Sequence, residues 1–253
     1  MTRALPSLLL FFISLAIFLL ATLPVRFGLK YLPKDIPIEI IGAQGTIWKG
    51  EASDIRWQNR SLGTLTWKLH ILPFLTAKLT TDFTLRGNGL TTEGTASTTT
   101  HQVLQLTNTH LQADLATLPI PKAQLLVTPE GTLNAQIRHL EYANNLVQTA
   151  DADFLWKPAR ITSPLKYDLG EIELLVTGEN AELEGKLDSR DGPIHASGIL
   201  KLNPQGMLSA NIQLTPDAST PKELRDMLPL LGKPNQEGAI RLNQQIQIPN
   251  WPS

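Results

Sequence analysis

The chain has 253 residues, of which 18% are charged, with a formal net charge of −1 and no cysteine. Because it has no basic excess, it lacks the electrostatic field that a nucleic-acid-binding protein needs. Without thiols it can form no disulfide, no thiolate nucleophile and no zinc–thiolate site, and this composition suits an oxidising compartment.

The first predicted element is a membrane anchor at residues 4–25, an uncharged apolar stretch flanked by Arg3 and Arg26. A helix of this length reaches about 33 Å, enough to cross a hydrocarbon core of about 30 Å. A cleaved signal peptide is the alternative interpretation. The apolar run is longer than a usual signal core, and its one small-residue pair, Ser14 and Ala16, would leave a very apolar new N-terminus. We therefore expect an uncleaved single transmembrane helix.

Alternation of apolar and polar residues dominates the rest of the chain and predicts half-buried β-strands. Leu65, Trp67 and Leu69, for example, would face one side of a sheet while their polar neighbours face the other. Turn residues separate the segments at short intervals, so neighbouring strands should be antiparallel. The segments with this pattern are 64–71, 79–85, 133–137, 172–176, 183–187, 194–202, 208–214 and 240–248.

One segment breaks the alternation and predicts a short amphipathic helix late in the chain. Thr220 would be its N-cap, Pro221 its first residue and Glu223 its capping-box partner, and it would end near Gly232. A weaker signal at 113–118 is compatible with either a helical turn or a loop.

The chain also shows signs of an internal repeat. Trp48 precedes a Leu-Gly pair at 62–63, and Trp156 precedes one at 169–170 with nearly the same spacing. This pattern predicts two tandem β units that are continuous in one sheet system. The predicted fold class is thus mainly β, with a single N-terminal transmembrane helix, then duplicated, curved antiparallel sheet units and one short late helix. The predicted units are 26–148 and 149–253.

A glycine-bracketed block, Gly45-Thr46-Ile47-Trp48-Lys49-Gly50, begins a series of motifs that resembles the type II secretion system protein N family, the general secretory pathway N family. The likeness covers nearly the whole chain, from the N-terminal apolar helix to a closing Gly-led strand near 238–242. The residues that carry it are Gly45, Thr46, Trp48, Gly50, Leu62, Gly63, Trp67, Leu69, Pro73, Trp156 and Gly170.

This resemblance implies an accessory subunit of the machine by which Gram-negative bacteria export folded proteins across the outer membrane. It implies a single-pass inner-membrane protein with most of its chain in the periplasm, other secretion-system subunits as partners, and no catalytic residues or cofactor. The anchored β layout also resembles proteins that line a lipid-conducting groove in the periplasm. A lipid carrier needs a continuous apolar wall along one sheet face, whereas a secretion subunit needs a polar sheet edge or a modest apolar patch.

The sequence shows no constellation that indicates an enzyme or a metal site. The five histidines are scattered without metal-ligand spacing, and no serine has the glycine-flanked setting of a nucleophile. The segment 188–192 is better explained as a hairpin turn than as a calcium loop, because the further carboxylates are missing. Trp48 is expected to lie buried in a short strand and to act by packing.

Overall fold

The structure is a computed structural model that describes residues 4–29, 38–57, 59–70, 78–99, 103–118, 127–163, 166–236, 238–248 and 251. Side chains at 4–9, 16, 29, 227, 230 and 231 lie outside this description. The helices are α1 (Ala4–Ala21), α2 (Val25–Leu29) and α3 (Lys222–Leu231). The strands are β1 (Ile38–Ile41), β2 (Gln44–Gly45), β3 (Lys49–Trp57), β4 (Arg60–His70), β5 (Lys78–Gly87), β6 (Leu90–Thr99), β7 (Leu104–Asp114), β8 (Thr128–Ala143), β9 (Leu146–Ser163), β10 (Tyr167–Glu179), β11 (Glu182–Arg190), β12 (Ile194–Leu202), β13 (Met207–Pro216) and β14 (Ile240–Gln247).

All of these strands belong to a single antiparallel sheet. β1 and β2 both pair with β3, along the same edge, so together they form one interrupted edge strand. From β3 onwards the order in space is the order in sequence. Short connections between consecutive strands favour this meander, and the predicted antiparallel pairing is confirmed.

The strand register sorts the side chains onto two chemically different faces. One face, called here the apolar face, aligns Trp67 with Phe83 and Phe154 with Leu174 across neighbouring strands. The opposite face is polar, and there Arg138 pairs with both Asp151 and Asp153. The larger members of the apolar face from β4 to β13 are Leu65, Trp67, Leu69, Leu79, Phe83, Leu85, Leu90, Leu104, Leu106, Leu111, Leu133, Ile137, Leu140, Phe154, Trp156, Ile172, Leu174, Val176, Leu183, Leu187, Leu200, Leu202, Leu208, Ile212 and Leu214.

The sheet is covered on neither face by a second layer within the described residues. Large side chains of the apolar face, such as Phe83 and Phe154, are only half-buried, and the largest fully buried side chain is Ile240. The accessible surface is 17135 Å², whereas a compact monomer of 27.9 kDa exposes about 11,000 Å². The chain therefore holds a thin core spread along one sheet.

Helix α3 provides the one local exception. It lies beside β14, and there Leu228 is 3% exposed and Ile240 1% exposed. Its position and its end at Gly232 agree with the sequence prediction. Its start does not, because Pro221 is the N-cap residue and no side chain caps the helix. The Thr220 hydroxyl instead accepts a hydrogen bond from the Asp217 amide and donates one to the carbonyl of Pro193, so it fixes the loop before the helix.

The predicted strands are found, and the structure adds strands that the alternation did not indicate. The segment 194–202 coincides with β12, and 172–176 lies within β10. β6 escaped prediction because its Thr-rich sequence, LTTEGTASTT, carries little hydrophobic contrast between its faces. The ambiguous segment 113–118 begins as the end of β7 and continues as a turn.

The N-terminal helix is shorter than the membrane anchor predicted at residues 4–25. α1 ends at Ala21, and the separate short helix α2 begins at Val25. Within the described part of the chain, no helix has the combination of length and apolar character that a membrane crossing needs. The predicted boundary between two β units, after residue 148, falls near the start of β9, and the duplication itself stays a prediction.

The burial difference along β14 yields a test of where the fold is stabilised. Ile240→Ala should lower the free energy of unfolding by about 2–5 kcal/mol, because it opens a cavity beneath α3. Ile246→Ala, on the same face of the same strand but 55% exposed, should change it by less than about 0.5 kcal/mol. Thermal unfolding of the full-length protein followed by circular dichroism measures both. Equal losses in the two variants would contradict the assigned core.

Candidate functional site

The Gly45–Gly50 block forms a tight β-hairpin between β2 and β3. Gly45 pairs with Gly50, and the Thr46 amide donates a hydrogen bond of 2.9 Å to the Lys49 carbonyl. The Lys49 amide returns one of 3.1 Å to the Thr46 hydroxyl. Ile47 and Trp48 therefore occupy the hairpin tip. The prediction of a short strand around Trp48 is wrong, since the glycines mark the two arms of a hairpin and not the two ends of a strand.

Both glycines are required by close approaches at this hairpin. Gly45 has a φ of 92°, and a Cβ there would lie 2.6 Å from the Lys49 carbonyl oxygen. A Cβ on Gly50 would lie 2.5 Å from the Gln44 carbonyl oxygen and would collide with the ring of Trp67. The absence of side chains lets the Trp67 indole lie flat against the arm of the hairpin.

The hairpin tip docks onto the C-terminal end of α1. The Trp48 indole Nε1 donates a 2.7 Å hydrogen bond to the Leu20 carbonyl, and the Ile47 amide donates one of 3.0 Å to the Leu23 carbonyl. Pro24 and Thr46 form a further β-bridge beside them. The last carbonyls of a helix have no partner within the helix. The Leu20 carbonyl accepts this indole bond together with a longer one, of 3.3 Å, from the Leu23 amide just past α1, so the indole adds an external cap. The tip thereby links helix and sheet.

The opposite side of the tip is held by β4. The Trp67 indole donates a 3.2 Å hydrogen bond to the Ile47 carbonyl, and the Leu69 amide donates one of 2.7 Å to the Trp48 carbonyl. Trp48 is half-buried between the two elements, at the hairpin tip and not within a strand, and its expected role in packing stays a prediction. Six residues of the motif meet in this helix–sheet junction, namely Gly45, Thr46, Trp48, Gly50, Trp67 and Leu69.

The remaining motif residues lie away from the junction. Leu62 and Gly63 occupy an irregularity in the pairing of β3 with β4, where Gly63 has a φ of 115°. Gly170 lies at a comparable irregularity between β9 and β10, with a φ of 75°. A Cβ at either glycine would strike a backbone carbonyl of the next strand, Arg86 or Arg190. Pro73 lies outside the described residues.

Trp48 and Trp156 do not occupy equivalent places. Trp156 lies within β9, and its indole donates a 2.9 Å hydrogen bond to the Glu130 carbonyl, whereas Trp48 lies at a hairpin tip and caps a helix. Trp67 is the closer counterpart of Trp156, since both belong to the apolar face and bond a neighbouring backbone carbonyl. The similar spacing between each tryptophan and the Leu-Gly pair that follows it therefore does not identify structurally equivalent tryptophans.

Beside the junction, a cleft of about 820 Å³ separates α2 from the edge strand. Arg26 is its cationic side chain, and Phe27 in its wall is 53% exposed. The cleft thus combines a positive charge with apolar surface next to the end of α1. Its lining residues are Pro24, Val25, Arg26, Phe27, Ala43, Gln44 and Gly45.

The ionic groups of the polar face support the sheet and show no catalytic arrangement. Hydrogen bonds to Arg138 hold the pKa of Asp151 below its ordinary value. Although desolvation favours the neutral acid at Asp82, hydrogen bonds from His70 and Thr95 hold its pKa below the ordinary value as well. Over the described ranges, no three histidine or carboxylate side chains gather in a group that could hold a metal ion.

Sequence reasoning found the residues of the junction but missed their roles. The bond from Trp48 to Leu20 joins residues 28 positions apart, and no local pattern encodes it. A local signal for the hairpin did exist. Two glycines that flank a Thr-x-x-Lys tetrapeptide fit a two-residue hairpin tip with its paired arms.

Comparison with known proteins identifies one family whose model covers nearly all of the sheet. The family model described as type II secretion system (T2SS), protein N matches residues 37–243. A type II secretion system protein N of Vibrio cholerae serotype O1 is 27% identical, over 98% of this chain and 100% of its own length. Proteins of the same name from Aeromonas hydrophila and Pectobacterium carotovorum are 25% and 22% identical, over 94% and 93% of this chain and 96% and 94% of their own lengths. No solved structure matched the chain.

The indole cap of α1 can be tested by a change that keeps the ring and removes the donor. Trp48→Phe should weaken the docking of the tip by about 0.5–1.5 kcal/mol, the net value of one hydrogen bond. The amides of Ile47 and Leu69 should then exchange with deuterium roughly two- to tenfold faster, because local opening becomes easier.

The control is Trp57→Phe, at a tryptophan that is 37% exposed and makes no indole hydrogen bond to the described part of the chain. It should leave exchange at the tip unchanged. If Trp48→Phe leaves the two amides as protected as in the natural protein, the indole does not hold the junction.

Proposed function

The chain belongs to the type II secretion system protein N family, and we propose that it is a non-enzymatic, inner-membrane-anchored subunit of that secretion machine. In this role the sheet lies in the periplasm and assists the export of folded proteins across the outer membrane, in contact with other subunits of the machine. The observation that carries the proposal is the extent of the likeness. It covers the sheet from β1 to β14 and, in the relatives, nearly the full length of both chains.

The exposed surface of α1 supports the anchoring. Apart from Ser14, its described side chains are apolar, and they are exposed on all sides, at 68% for Leu10, 60% for Phe11 and 62% for Phe18. Such a surface is unfavourable in water and favourable among lipid chains. Residues 4–25 therefore anchor the chain in the inner membrane, with α1 among the lipids and the Arg26 side at the interface.

In this topology the helix–sheet junction would lie at the membrane surface, and its chemistry suits that place. Tryptophan side chains favour the boundary between membrane and water, where an apolar ring and a polar N–H are both accommodated. Trp48 lies at the end of α1 and caps its Leu20 carbonyl, so it would stand at that boundary. The hairpin then sets the sheet at a fixed place beside the membrane surface.

The chemistry of the junction supports a positioning role. Its contacts are hydrogen bonds from indole and amide N–H groups to backbone carbonyls, and none of them joins a nucleophile to a base. Such an arrangement fixes geometry and moves no proton. We therefore assign the junction to assembly and not to catalysis.

Reporter fusions test the topology. Alkaline phosphatase fused after Ser253 should be active, because that enzyme matures only when it is exported from the cytoplasm. A cytoplasmic reporter at the same position should be silent. An inactive phosphatase together with a working cytoplasmic reporter would overturn the proposed orientation.

Loss of the gene tests the role in secretion. A strain without this chain should export less of a type II cargo, with the missing protein accumulating in the periplasm, and the natural chain should restore export. A photo-cross-linking residue at Gln245, an exposed position of the edge strand β14, should capture another secretion subunit in cells. Unchanged export together with no such cross-link would refute the assignment to the machine.

A further inference from the structure

The apolar face is continuous across the middle of the sheet. From β4 to β13 the regularly paired stretches place no charged side chain on it, within the described residues. Glu130, Arg160 and Asp168 align across β8, β9 and β10, beyond the irregular pairings at one end of the face. At about 4.8 Å per strand the face extends about 43 Å across the strands. Charges lie on the opposite face, as at Lys68 and Asp82, which pair across β4 and β5.

Among the described residues, most of this face is open to a ligand. Phe83, Phe154 and Leu174 are only half-buried, and of the described elements α3 alone covers the face, at the corner around Ile240. An uncovered apolar surface of this extent marks a binding site in a folded protein. The face thus has the continuous apolar wall that a carrier of hydrophobic molecules requires.

We propose that the apolar face binds the acyl chains of membrane phospholipids, which enter it from the bilayer beside α1. The proposal rests on the proposed anchoring of α1 in the membrane. Trp67, at the start of the face, bonds the same hairpin tip whose Trp48 caps α1. The apolar helix and the apolar face therefore meet at the junction, and a lipid chain could pass from one to the other along apolar surface.

Backbone chemistry favours acyl chains over an extended polypeptide. The amides and carbonyls of the sheet are paired between neighbouring strands, so they cannot satisfy the backbone of an extended peptide laid across the face. Such a peptide would bury unsatisfied polar groups. Acyl chains carry no hydrogen-bonding groups along their length, and they gain from contact with Phe83, Phe154 and Leu174.

We expect the phosphate headgroup of the lipid to bind outside the apolar face. Because the face offers no charge, the phosphate has to stay outside it, and the cleft beside α2 supplies a cation at the membrane end. Arg26 lines this cleft with Val25 and Phe27, and it forms no ion pair with the described residues. The guanidinium is thus free to pair with a phosphate while the neighbouring apolar side chains contact the first part of the acyl chains.

Two adjacent leucines of β10 give a matched test. Leu174 lies on the apolar face and Leu175 on the opposite face, where it is 38% exposed. Each is replaced, in the full chain, by the photo-cross-linking residue benzoylphenylalanine, in cells grown with radioactive phosphate. After irradiation and purification, position 174 should carry at least tenfold more labelled phospholipid than position 175. The pair Leu200 and Ile199 of β12 repeats the comparison, should a change at 174 prevent folding.

A third position, Ile17 in α1, separates this proposal from the anchoring on which it rests. If labelled phospholipid were found at position 17 but not at position 174 or 200, lipid binding by the apolar face would be overturned and the proposed anchoring of α1 would stand. Absence of label at all of these positions would overturn both. Equal label at 174 and 175 would show unspecific contact, and a protein adduct at 174 in place of phospholipid would show a peptide occupant, so either result also overturns the proposal.

Discussion

The hydrogen bond from the Trp48 indole to the Leu20 carbonyl is the interaction that sets the helix and the sheet relative to each other. A helix end leaves its last carbonyls without partners inside the helix. The hairpin tip gives one of them, the Leu20 carbonyl, an indole donor beside the amide of Leu23. β4 then holds the same tip through Trp67 and Leu69, so the position of the whole sheet follows from a four-residue turn.

The rest of the sheet is stabilised by its strand-to-strand pairing more than by a deep core. Among the residues that the structure describes, alanines make up most of the buried apolar ones, and Ile240 under α3 is the largest side chain that is fully enclosed. Cross-strand pairs such as Phe154 with Leu174 each contribute a modest amount. This distribution explains how one face can stay uncovered in a folded chain. It also explains why glycines at irregular pairings, such as Gly63 and Gly170, are part of the architecture, since the strands approach closely there.

Sequence reasoning predicted the elements whose signal is local. Strict alternation located β12 and the centre of β10, and the amphipathic spacing located α3. β6 was missed because a threonine-rich strand shows no clear alternation of apolar and polar residues. The prediction that Thr220 caps α3 was wrong because its hydroxyl donates a hydrogen bond to the carbonyl of Pro193, on a distant loop. The same limit applies at the site. The glycine block was recognised, but the partner of Trp48 is a helix carbonyl that only the folded chain brings near.

The nearest-neighbour order of the strands has a mechanical consequence. Within the described residues, the backbone of each strand beyond β3 pairs only with the strands before and after it. A force on the C-terminal end would therefore detach β14 first and then β13, one hairpin arm at a time. The strands next to the junction would be the last to separate, because they lie at the other end of the series. A chain built in this way yields gradually under load, as repeat proteins do, and it keeps the strands next to the junction folded while the distal strands come apart and re-form.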